Sequence, residues 1–148
     1  LSGDDIADVQ LALVEKLKNR GISAKRIEER VAIESLPDNE SELFNTTRKD
    51  FSSYQEKYGI THLLIVDVDR LGMHRTYANY IPTSDPKAVF AGKSFLVDLE
   101  SNTYEWYLPI ETYKSANDVW DEPPGFPALT NAYYQAIEVS KESILSSF

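Results

Sequence analysis

An α+β fold, with a mostly antiparallel sheet and helices packed on one face of it, is predicted for residues 1–148 as a single domain by three features of the sequence. Amphipathic spacing of three and four residues at each end of the chain marks a first and a last helix. Between them lie segments whose apolar residues fall at alternate positions, as strands require. Turn-forming residues separate those segments by short distances, which indicates hairpins, and the predicted order is α-β-α-β-β-β-β-α.

The first helix spans about 16 residues, because Ile6, Val9, Leu13, Val14 and Leu17 recur on one face. Ser2 with Asp5 suits a capping box, and Gly21 suits the left-handed residue that ends the helix. A short extended stretch is expected through Ile22, Ala24 and the Ile27 to Ile33 region, followed by a loop at Pro37, Asp38 and Asn39. From Ser41 to Tyr58, the positions of Leu43, Phe44, Phe51, Tyr54 and Tyr58 predict a second helix closed by Gly59.

Leu63, Leu64, Ile65 and Val66 are apolar at both parities, which predicts a strand covered on both faces. A separate strand is expected over Gly72 to Tyr80, and a turn over Pro82 to Pro86. Val89, Ala91, Phe95, Val97 and Leu99 then alternate, and a loop at Glu100 to Thr103 returns the chain into Tyr104, Trp106, Leu108 and Ile110. Pro109 places that last strand at an edge or a bulge. Asn117 to Phe126 is rich in proline, glycine and acids and reads as a loop. Pro127 opens the final helix, whose stripe is Leu129, Tyr133, Ala136, Ile137 and Ile144.

Composition narrows the function. With 42% apolar and 26% charged residues the chain has the make-up of a folded domain, not a disordered one. Fifteen basic against 24 acidic residues leave a net charge of −9, which repels a phosphate backbone, so no nucleic-acid partner is expected. The absence of cysteine excludes disulfides and thiolate chemistry. The opening Leu1-Ser2-Gly3 without methionine suggests a trimmed start, and no apolar run reaches the roughly 20 residues that span a bilayer.

Catalytic sets are hard to assemble from these residues. Only His62 and His74 could serve a triad, and Ser94 and Ser101 lack the Gly-x-Ser-x-Gly context. His62, Asp67, Asp69 and His74 match no metal motif and read as solvated groups at the polar end of a strand. Glu105 and Glu111 share a strand parity, so a carboxylate-dependent hydrolase is one alternative and a small-ligand binding module another. The six glycines are too scattered to cradle a phosphate, and neither a cofactor nor a metal is expected. What remains is aromatic. Tyr113, Trp120, Pro123, Pro124 and Phe126 are the candidate partner-binding residues, since aromatics near prolines bury large area at small entropic cost.

Tyr58 to Val68, then Ala91-Gly92-Lys93-Ser94-Phe95-Leu96-Val97-Asp98-Leu99 turning into Thr103-Tyr104-Glu105-Trp106, carry a family resemblance. The chain resembles the bacterial periplasmic and outer-membrane lipoprotein superfamily that includes the curli-secretion and penicillin-binding-protein activator lipoproteins, with a fold similar to the amino-terminal domain of TolB. The resemblance implies a non-enzymatic, periplasmic cell-envelope domain, anchored to the outer membrane through an amino-terminal lipid preceding Leu1. It also implies a protein partner in the envelope or a second copy of the chain, and it supplies no catalytic residues.

Overall fold

Apolar spacing at the amino terminus produces the helix it predicts. In a computed structural model, which describes residues 3–116, 120, 121, 123 and 125–147, helix α1 runs Gly3–Asn19 and buries Val9 and Leu13. Lys16 and Lys18 lie in its last turn, where the macrodipole favours cations. The proposed cap Ser2 lies outside the described residues.

The stretch after α1 is not a strand. Residues 22–32 form no ladder, and a 3₁₀ turn at Ile33–Ser35 follows. Ile27, Val31, Ile33 and Leu36 still pack against a core; the first three share the parity of one strand face, so apolar spacing alone does not distinguish this unpaired stretch from a strand.

The second helix is much shorter than its apolar spacing suggested. Helix α2 is Ser53–Tyr58, ended by Gly59 at φ 61°, while Leu43 and Phe44 are exposed and Asn45 has φ 67°. Short polar side chains compete with the helix here. Asn39 Oδ1 accepts from the Ser41 N–H, Ser41 Oγ from the Leu43 N–H, and the Thr46 hydroxyl donates to the Leu43 carbonyl at 2.8 Å. Such local bonds offer the backbone an alternative to helical hydrogen bonding.

Three long strands follow, with a small hairpin inserted between the first and second. Strand β1 is His62–His74, β4 is Lys87–Asp98 and β5 is Thr103–Ser115, in a mostly antiparallel sheet ordered β1-β4-β5. The break expected at Gly72 is absent: the glycine sits inside β1 at φ 154°, a setting open to a residue without Cβ. The remainder of that expected strand is the hairpin β2 (Tyr77–Ala78) and β3 (Ile81–Pro82). Central β4 buries both parities over Ala88–Ala91, whereas in edge strand β1 only Leu63 and Ile65 of the apolar run are buried. Pro109 falls in edge strand β5, the kind of strand in which proline is tolerated. Helix α3, Pro127–Ser146, buries Ala132, Ala136, Ile137, Ser140 and Ile144.

The chain divides into two compact units. The first comprises Leu1–Arg26, Val68–Gly92 and Ile110–Phe148. In it α1 packs on α3, Tyr133 donates to Asp5, and the buried Ser140 hydroxyl lies 2.9 Å from that of Thr112 on β5. The second comprises Ile27–Asp67 and Lys93–Pro109. Its core is Phe51, Tyr54, Leu63, Ile65, Phe95, Val97 and Leu99, with the Ser94 hydroxyl donating to the Ile65 carbonyl.

Asn102 ties the β4–β5 turn of the second unit to its 47–52 segment. Its Oδ1 accepts the Phe51 N–H at 2.9 Å, its amide donates to Asp50 Oδ1 at 2.9 Å, and its carbonyl accepts the Thr47 N–H at 2.8 Å. Because Asn102 has φ 53°, glycine preserves the turn and removes only the side-chain bonds. Asn102→Gly is therefore expected to lower unfolding stability by about 1–3 kcal/mol, read as a lower urea midpoint.

Asp50 adds a pH dependence. The Ser52 side chain and then the Ser52 N–H hold its carboxyl below the usual aspartate value, with Asn102 contributing and burial opposing. A folded pKa below the unfolded value of about 3.9 gives stability that is complete above that unfolded value. That stability is lost as pH falls through the depressed one. Urea midpoints measured from neutral to acid pH should fall less steeply in Asp50→Asn than in the wild-type protein.

Candidate functional site

Arg75, Thr76 and the residues up to Ser84 build a hairpin with a polar base and an apolar tip. Tyr77 pairs with Pro82 and Ala78 with Ile81, leaving Asn79 and Tyr80 as the two-residue loop. The base is locked by Thr83 N–H to the Thr76 carbonyl at 2.9 Å and by Arg75 Nε to the Ser84 carbonyl at 2.9 Å. Thr76 N–H also donates to Ser84 Oγ at 3.1 Å.

Both loop residues have positive φ, 47° at Asn79 and 69° at Tyr80. Tight two-residue hairpins require that geometry, and asparagine tolerates it, but a tyrosine there carries backbone strain. Tyr80 is also 99% exposed, with Ile81 at 67% and Tyr77 at 61%. The three side chains stand out from a braced support. Tyr77, Asn79 and Tyr80 border an open hollow of about 600 Å³, too little enclosed to bury a small ligand.

The residues predicted for partner binding are only partly gathered here. Trp120 is half-buried, with the Arg75 guanidinium 4.7 Å from its ring centroid and 6.0 Å from that of Tyr77, which joins it to the hairpin. Tyr113 is exposed on β5 in a different group, donating to Glu111 Oε1 at 2.8 Å and accepting from Arg70 at 3.4 Å. Pro123 and Phe126 are exposed, and no ring contact among the described residues links Phe126 to Trp120. Pro124 lies outside the described residues. Tyr77, Tyr80 and Ile81 were not singled out by the sequence reading. The available signal was Asn79 between two apolar residues, a two-residue turn cue obscured by tyrosine where glycine is usual.

The acids are distributed among separate partners. Asp67 pairs with Lys93 at 3.3 Å, Glu111 with Arg70 at 3.3 Å, and Glu105 with His62 at 3.0 Å. The set His62, Asp67, Asp69 and His74 is thus not gathered into one cluster among the described residues; His62 instead meets Asp98 and Glu105. Those three are the described residues best placed to hold a metal. Among the described residues the carboxylates with displaced pKa are Glu29, Asp38 and Asp50, all lowered, by bonds from Lys57, Lys49 and Ser52 respectively. A carboxylate general acid needs the opposite displacement.

No family model, curated protein or solved structure matches the chain. Among the described residues no helix is long and apolar enough to cross a membrane.

Proposed function

We propose that this chain is a non-catalytic protein-binding domain whose contact surface is the Tyr77–Pro82 hairpin together with the Arg75–Trp120 pair. The observation that carries the reading is Tyr80: an almost fully exposed aromatic at a positive φ has both its ring and its backbone in unfavourable settings. Strain of this kind gathers where a segment is presented for function, and rigid aromatics supply much of the energy of protein interfaces. Arg75 holds its neighbours in place while the tip stays available. The partner's complementary surface is apolar at its centre, to receive Tyr80 and Ile81, with acceptors at its rim. The cell envelope is the compartment we propose, with anchoring to the outer membrane through an amino-terminal lipid. That placement is supported by the lipoprotein resemblance of residues 58–68 and 91–106.

A photo-cross-linking residue placed at position 80 in the full-length gene product tests the contact directly. It should yield a discrete protein adduct in cells, and the same residue at the exposed Glu15 of α1 should not. Equal labelling from both positions would remove the hairpin from consideration.

A further inference from the structure

We infer that His62, Asp98 and Glu105 form a surface site for one divalent transition cation of the zinc type. Three strands supply the ligands: His62 opens β1, Asp98 closes β4, and Glu105 lies near the start of β5. The Leu99 N–H donates to the Thr61 carbonyl at 3.0 Å, which sets the beginning of β1 beside the end of β4. All three belong to the second compact unit.

The donor atoms lie within 4.8 Å of one another. Nε2 of His62 is 3.0 Å from Glu105 Oε1 and 4.0 Å from Asp98 Oδ2. A zinc ion about 2.0–2.2 Å from each ligand would hold its donors roughly 3.3 Å apart, so Asp98 Oδ2 has to draw closer to His62, while Asp98 Oδ1 accepts from the Glu100 and Ser101 N–H groups at 2.9 and 3.4 Å. The other ring nitrogen, Nδ1, lies 2.8 Å from the Thr61 hydroxyl, which orients the imidazole with Nε2 towards the carboxylates. Among the described residues neither carboxylate forms an ion pair with lysine or arginine. Two anionic ligands and one imidazole therefore face each other with no basic side chain to balance them. That donor set, one nitrogen and two oxygens with further positions open to water, suits zinc or a neighbouring transition ion better than calcium, which takes oxygen alone.

Calorimetric titration of chelator-treated protein with zinc chloride tests the site. One equivalent should bind at neutral pH, with affinity reduced more than about tenfold in His62→Ala and in Glu105→Gln and unchanged in His74→Ala. Glu105→Gln replaces an exposed carboxylate by its isostere, and a thermal melt matching wild type confirms that the fold is intact. In a nitrogen-detected spectrum the His62 imidazole should shift on zinc addition while His74 does not. Absence of saturable binding, or binding that survives Glu105→Gln or is lost equally in His74→Ala, would overturn the inference.

Discussion

Replacing Phe95 by alanine is expected to cost about 3–5 kcal/mol of unfolding free energy, the range for emptying a buried aromatic site. Phe95 is 2% exposed in β4 and meets three rings: Phe51 edge-on at 6.1 Å, Tyr104 edge-on at 5.4 Å and Tyr107 stacked at 6.2 Å. Those neighbours come from a loop and from β5, so alanine leaves a void that no single element can collapse to fill. A loss of that size is a large share of the roughly 5–15 kcal/mol that holds a domain folded. Phe44→Ala provides the contrast: that ring is 96% exposed, and its removal should change stability by less than about 0.5 kcal/mol. Urea unfolding followed by tryptophan fluorescence distinguishes the two, since Trp106 lies in the same unit as Phe95.

The second large effect concerns binding. Tyr80→Ser combined with Ile81→Ser is expected to weaken association with the partner captured from position 80 by roughly 30-fold or more, the consequence of losing about 2 kcal/mol at a hot spot. Stability should be unaffected, because neither side chain is buried and the hairpin base is held by Arg75, Thr76, Thr83 and Ser84. Binding and folding are thereby separated. A double variant that melts normally yet binds as well as wild type would place the contact elsewhere, for which the exposed Leu43 and Phe44 offer the next surface.

Much of the architecture was legible because it rests on periodicity. Val9 and Leu13 in α1, Ala136 and Ile144 in α3, and the alternation of Phe95 and Val97 in β4 with Leu99 just beyond its end are buried where their spacing places them. The second helix was misread because apolar spacing over 41–58 says nothing of Asn39, Ser41 and Thr46 competing for local backbone groups, or of Asn45 at φ 67°. Gly72 suggested a break because a glycine in sequence does not distinguish a turn from an extended residue inside β1. Of the site, Trp120 was visible as an aromatic beside prolines, but its link to Tyr77 passes through Arg75, a contact across more than forty residues. Asp98 beside His62 was hidden for the same reason, since only the pairing of strands brings the end of β4 to the start of β1.

The most direct measurement is a nuclear magnetic resonance footprint of the isotopically labelled domain titrated with the partner recovered by cross-linking. Shifts should concentrate on residues 75–82 and the Trp120 indole, leaving α1 and the Leu43–Phe44 loop unchanged. Shifts centred on any other surface, with the Tyr80 amide unmoved, would contradict a role for this hairpin in recognition.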